Sequence, residues 1–68
     1  MSNGSENWLV VRKGETRVIL SYEKAIVESG GVAYVSNEAT AIVNSGGTCY
    51  RQPDAHITAS QGALVLPW

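Results

Sequence analysis

Short apolar runs alternate with polar turns along the whole chain after residue 8. The pattern repeats when the chain is written in blocks of sixteen residues, namely 9–24, 25–40, 41–56 and a partial block 57–68. Each block opens on apolar or small residues, and its sixth position is always a glycine: Gly14, Gly30, Gly46 and Gly62. The second and third blocks are identical at 8 of 16 positions. This period predicts that one block corresponds to one repeated structural unit.

Each block predicts two short strands separated by two turns. The opening run is rich in Val and Ile, which favour strands, and the glycine after it can adopt the positive φ of a tight turn. A second strand is predicted at 16–20, 32–35, 48–51 and 63–66. Polar residues close the block as a second turn. The pattern therefore predicts an all-β chain.

Two all-β architectures fit strands at this spacing. In a β-solenoid each block is one coil and equivalent strands stack in parallel, so that Ile26 lies over Ile42 and Tyr34 over Tyr50. In an antiparallel β-meander or small barrel the same strands pair as hairpins. Because identity recurs at sixteen residues rather than eight, we expect a short β-solenoid (β-helix) of about four coils. We expect residues 1–7 to be a flexible segment and residues 8–68 to be a single β domain.

Size and charge narrow the classes of function. A chain of 68 residues allows one domain and no deep catalytic cavity. A net charge of −1 disfavours nucleic acid as a partner, because such binding requires an excess of Lys and Arg over Asp and Glu. No apolar run approaches the ~20 residues of a membrane span. A single cysteine and the absence of a signal-peptide pattern at the N-terminus lead us to expect a cytoplasmic protein.

The residues with chemical potential are few. Cys49 with His56 is the arrangement of a nucleophile and its base, but a lone cysteine is more typical of a small buried apolar side chain. Glu38 and Asp54 fall at one position of neighbouring blocks and could hold a cation, although turn carboxylates usually face solvent. We therefore expect no enzymatic activity, no cofactor and no metal.

Three groups of residues are candidates for binding a partner. Alternation along the strands predicts an outward aliphatic stripe of Val10, Ile26 and Ile42. Stacking of equivalent residues predicts an aromatic ladder of Tyr34 and Tyr50. The first block is basic and contains Arg12, Lys13 and Arg17. The same alternation places a thin core inside: Leu9, Val11, Ala25, Val27, Ala41, Val43, Ile57 and Ala59. Trp8 and Trp68 mark the two ends of the repeat, where we expect them to cover the terminal strands.

The repeat also resembles a known family. Residues 25–35 (AIVESGGVAYV) and 41–48 (AIVNSGGT) resemble the Ser-Gly-Gly repeats of adhesin-type autotransporter passenger domains. That resemblance implies a β-helical fold. In size and style the chain is also similar to the small anti-CRISPR inhibitors that phages and mobile elements encode against host defence.

These observations lead to two expectations for function. The first is a non-enzymatic protein-binding module, such as a phage- or mobile-element-encoded inhibitor that blocks a host protein complex. The alternative is a structural or adhesive β-helical repeat unit that self-associates. The partner is accordingly expected to be another protein or a second copy of the chain.

Overall fold

The chain folds into eight short strands joined by tight turns. The computed structural model describes residues 7–68. The strands are β1 (Leu9–Val11), β2 (Thr16–Ile19), β3 (Lys24–Val27), β4 (Val32–Val35), β5 (Thr40–Val43), β6 (Thr48–Arg51), β7 (His56–Ala59) and β8 (Leu64–Pro67). None of these described residues lies in a helix, so this part of the chain has no helix that could cross a membrane.

The strands form two parallel four-stranded sheets. The first sheet has the order β1-β3-β5-β7, and the second has the order β2-β4-β6-β8. Neighbouring strands pair residues sixteen apart, with Ile26 opposite Ile42 and Tyr34 opposite Tyr50. This register confirms the β-solenoid and excludes the antiparallel meander. The coils are residues 9–24 (coil 1), 25–40 (coil 2), 41–56 (coil 3) and 57–68 (coil 4).

The core is a narrow column of small aliphatic side chains between the two sheets. Its fully buried members come from the inward positions of every coil except coil 4, and include Val11, Ile19, Val27, Val35, Val43 and Cys49. The predicted inside residues lie there with one exception. Ala59 is exposed, because β7 is the last strand of its sheet and no further coil covers it. Leu9 and Ile57 are partly buried and pack against the core.

Glycine determines the first turn of each coil. In coil 3 the N–H of Gly47 donates to the carbonyl of Asn44 at 2.8 Å, and Gly46 between them has φ +86°. A positive φ at the third residue is the signature of a type II turn. The turn glycines also bond to one another, since Gly30 N–H donates to Gly46 O at 2.9 Å. The turns therefore continue the hydrogen-bonded stacking of the strands.

The second turns begin one residue earlier than expected in coil 1. β2 ends at Ile19 rather than residue 20, because the N–H of Glu23 donates to Leu20 O at 3.0 Å and closes the turn there. Tyr22 and Glu38 occupy the third position of their turns with φ of 68° and 67°. β8 is likewise shifted by one residue and ends at Pro67.

Candidate functional site

The outer face of the second sheet carries a stacked pair of tyrosines. The rings of Tyr34 and Tyr50 are 4.8 Å apart between centroids and inclined by 10°. Their stacking follows from the parallel register, which places the two residues side by side on β4 and β6. Val18 and Leu66 continue the same position on β2 and β8. The predicted tyrosine ladder is therefore present, with both rings half-buried.

Trp68 extends this aromatic cluster from the last coil. Its backbone N–H donates to Arg51 O at 2.8 Å, and its ring meets the ring of Tyr34 edge to face, with centroids 5.4 Å apart. The ring remains 50% exposed. A shallow groove of about 300 Å³ lies beside it; the groove is lined by Arg51, Pro53, Val65, Leu66, Pro67 and Trp68.

No charged residue occupies the outward positions of the second sheet. These positions form three rows across the four coils: Thr16, Val32, Thr48 and Leu64; Val18, Tyr34, Tyr50 and Leu66; Leu20, Ser36, Gln52 and Trp68. We call this surface the aromatic face. Four large apolar side chains on it are at least half exposed: Val18, Leu20, Leu64 and Trp68. Such a surface has the composition of the centre of a protein interface, where aromatic residues are enriched and charges are depleted.

Arg51 is held at the corner beside the groove. It pairs with Val35 and so takes an inward position, yet its guanidinium turns toward the second turn of coil 3. There Nη2 donates to Ala55 O at 2.8 Å and to Pro53 O at 3.2 Å. Coil 4 as described has no second turn to bond these carbonyls. Arg51 therefore satisfies backbone acceptors that another coil satisfies elsewhere in the solenoid.

The aliphatic stripe lies on the outer face of the first sheet. Val10, Ile26 and Ile42 are each half-buried and aligned across β1, β3 and β5. Residues 16–19 belong to the other sheet and do not cover them. Charged side chains flank the stripe, with Lys24 on one side and Glu28 on the other. The stripe is therefore narrower and more polar at its margins than the aromatic face.

The basic residues of coil 1 do not form one patch. Arg12 and Lys13 are exposed at the first turn. Arg17 lies on β2 in register with Ala33, which is fully buried in coil 2. Its position is thus an inward one, and its side chain is exposed because β2 is an edge strand among the described residues. Glu15 stands between these residues, and its Oε1 accepts a hydrogen bond from Arg12 N–H at 2.9 Å.

The two tryptophans contact side chains on the outer faces of the sheets. The Lys24 Nζ lies 5.7 Å from the centroid of the Trp8 ring, a distance typical of cation–π contacts. Trp68 packs back along the side of the molecule onto coil 2. Trp8 precedes β1 and Trp68 follows β8, and both stand at outward-facing positions. Both rings therefore lie against the outer faces of the sheets.

Cys49 and His56 face different environments. The thiol is fully buried among the core side chains, and burial raises its pKa, against a smaller lowering effect of Arg51. The His56 side chain is 68% exposed, with Nε2 3.8 Å from Glu38 Oε1. The two are not brought together as nucleophile and base. A neutral buried thiol is a poor nucleophile, so Cys49 acts here as a core residue.

Glu38 and Asp54 are joined through the backbone. The N–H of Glu38 donates to Asp54 O at 3.2 Å, and the N–H of Asp54 donates to Asn37 Oδ1 at 2.8 Å. Gln52 Oε1 in turn accepts from Asn37 N–H at 2.9 Å. Within residues 7–68 no group of three His, Cys, Asp or Glu side chains is placed to hold a metal ion. This amide network could not be predicted from the repeat, because Asn37 aligns with Pro53 rather than with Gln52.

Comparisons with protein-family models, with curated proteins and with solved structures each returned no match. The resemblance to adhesin repeats is therefore supported only in its coarse form, a β-solenoid of about four coils.

Proposed function

We propose that the protein is a binding module that attaches to another protein through its aromatic face. The observation that carries this proposal is the combination of a stacked tyrosine pair, a half-exposed tryptophan and the absence of charge on one side of the solenoid. Aromatic anchors that become desolvated contribute disproportionately to protein–protein affinity. Rigid stacking supports this role, since ordered side chains lose little further freedom on binding.

The narrower form of the proposal is an inhibitor that blocks a host complex, encoded by a phage or mobile element. Its support is the small size of the chain. A cytoplasmic location belongs to the same proposal, and the single free thiol of Cys49 is consistent with a reducing compartment.

The test begins with immobilised protein and a bacterial lysate. A captured protein is purified, and its affinity is measured for the wild type and for Tyr50→Ala and Trp68→Ala. We expect each substitution to weaken binding by about 30-fold, the effect of losing an anchor worth about 2 kcal/mol. Ile42→Glu, on the opposite sheet, is the matched control and should bind as the wild type does.

Melting temperatures of the same variants separate contact from stability. Tyr50→Ala and Trp68→Ala should remain folded at the temperature of the binding assay. If folded variants of both residues bind normally, the aromatic face is not the interface. If only Ile42→Glu lost binding, the interface would instead be assigned to the aliphatic stripe.

The second candidate function is self-association as a structural repeat. The observation that favours it is the unpaired edge of β7 and β8, where strands of another copy could add. Recovery of only the chain itself in the capture experiment would support this candidate and contradict the first.

A further inference from the structure

Two glutamates accept hydrogen bonds from backbone amides on the open edge of the first coil. In coil 2 the N–H of Glu28 donates to Val11 O of the preceding coil at 2.8 Å. Arg12 is the equivalent residue of coil 1, and within residues 7–68 no coil precedes coil 1. Its N–H donates instead to Glu15 Oε1 at 2.9 Å. A carboxylate thus takes the place of the missing backbone carbonyl.

The same substitution occurs at the second turn of coil 1. The N–H of Ser36 in coil 2 donates to Ile19 O at 3.0 Å. Leu20 is its equivalent in coil 1, and the N–H of Leu20 donates to Glu23 Oε1 at 2.8 Å. Both ends of β2 are therefore flanked by amides that are already occupied by charged acceptors. Hydrogen bonds to a carboxylate are stronger than those between neutral groups.

The positions of these glutamates are ones that the inner coils fill with small residues. The equivalents of Glu15 are Gly31, Gly47 and Ala63, and those of Glu23 are Ala39 and Ala55. A Cβ added at Gly31 would lie 2.7 Å from Val11 O, so an inner coil has no space for a larger side chain. Arg17 also takes an inward position by register, as Arg51 does in coil 3, where the guanidinium turns out to the second turn. A glutamate at either of the two capped positions therefore fits only a coil that has no other coil before it.

Coil 4 has the small and apolar side chains of an inner coil at the positions that are charged in coil 1. Ala63 stands where coil 1 has Glu15, and Val65 stands where coil 1 has Arg17. Ala59, inward by register, is exposed there. Within the described residues, the edge of β7 has no carboxylate or guanidinium that closes it. This edge continues the interface that already joins each coil to the next.

We propose that Glu15 and Glu23 are edge caps that prevent coil 1 from binding coil 4 of a second copy of this chain. The geometry of the first turn supports a second copy as the excluded partner. A Cβ added at Gly14 would meet nothing within 4 Å, whereas one at Gly30 would meet the Lys13 side chain of the coil before it. Gly62 and the residue before it could therefore stack on Gly14 of another copy as coils stack within one chain.

The test is to give coil 1 the small residues of the inner coils. The double variant Glu15→Ala/Glu23→Ala should assemble into head-to-tail polymers, seen as loss of the monomer in analytical ultracentrifugation. Glu28→Ala/Asp54→Ala removes the same two charges from exposed positions of coils 2 and 3, and should stay monomeric. Glu15→Gln/Glu23→Gln keeps an oxygen acceptor at both sites and should also stay monomeric.

A cross-link reports the direction of assembly. In a Cys49→Ala background, cysteines are placed at positions 12 and 60, which would become neighbours about 4.8 Å apart across a head-to-tail junction. Within one copy these positions are three coils apart, roughly 14 Å, which is too far for a disulfide. The alanine double variant should therefore form intermolecular disulfides, and the chain with both glutamates should not.

Three further variants keep the test decisive. Ala59→Glu places a charge on the exposed edge of coil 4 and should abolish the assembly of the alanine double variant. If the double variant does not fold, the single variants Glu15→Ala and Glu23→Ala carry the test, each with one amide still capped. The proposal would be overturned if the folded Glu15→Ala/Glu23→Ala variant stayed monomeric. It would also be overturned if that variant assembled without forming the 12–60 cross-link. The aromatic face takes no part in these measurements, so they are independent of the proposed binding to another protein, whereas a monomeric wild type would contradict self-association as the function.

Discussion

Gly46 is the residue at which backbone conformation and packing constrain the chain most closely. Its φ of +86° is costly for any residue with a Cβ, and the Ser29 side chain of the coil before it fills the space where a Cβ would lie. Gly14 has φ +81° with open space around it. The two positions therefore share the same backbone strain, but only Gly46 is also crowded.

Gly46→Val should lower the free energy of unfolding by about 1–3 kcal/mol or more, because a β-branched residue is forced to positive φ. Gly14→Val should cost less, since only the strain applies there. Urea unfolding of both variants provides the comparison. Equal losses would show that the stacking of Ser29 over the turn contributes nothing to the cost.

The buried thiol of Cys49 gives a dependence of stability on pH. Its pKa is raised by burial, so the folded state holds the thiol proton more tightly than the unfolded state does. The resulting stabilisation is present below pH 9.0, the ordinary value for a thiol, and is lost as the pH rises through the folded pKa. Between about pH 7 and about pH 10 the wild type should therefore lose more stability than Cys49→Ala. The two proteins differ in this side chain alone, so parallel pH curves for the pair would contradict a buried neutral thiol.

Single residues also mark the limit of what could be predicted from the sequence. The core positions, the turn glycines and the tyrosine ladder follow from the sixteen-residue period alone. The caps at Glu15 and Glu23 carry a signal in the alignment of the blocks, where they replace Gly or Ala. That signal alone does not predict a cap, because the hydrogen bonds depend on which amides face outward from the first coil.

At the scale of the strands, edge and inner elements should differ in hydrogen exchange. Strands β3 to β6 have neighbours on both sides, whereas β1, β2, β7 and β8 each leave one side unpaired. Amides of the inner strands should therefore exchange slowest. On the outer edge of coil 1, the capped amides of Arg12 and Leu20 should exchange more slowly than the amide of Val18, which faces the same edge between them.

Exchange measured by NMR on the Glu15→Ala and Glu23→Ala variants would test this assignment residue by residue. Each variant should accelerate exchange at its own capped amide, Arg12 or Leu20, and leave the other unchanged. Uniformly fast exchange along the whole edge in the wild type would mean that the carboxylates do not close these amides in solution.

At the scale of the whole molecule, the fold could be predicted because one period governs local pattern, register and core together. Which of the two outer faces is the better contact surface could not be predicted from that period. Both carry an apolar row, and the difference lies in the flanking rows. The contacts of Arg51 and Trp68 contribute to that difference, and the repeat period alone does not determine those contacts.

The even number of residues per coil has a consequence for how such a chain can vary in length. Every odd-numbered strand residue points inward and every even-numbered one outward, in all four coils. An insertion or deletion of one residue would reverse this order for every coil that follows and place Tyr or Ile columns out of step with the core. Sixteen residues is therefore the unit in which the chain can grow or shrink. Natural or engineered length variants should differ by whole coils, taken from between the charged first coil and the last.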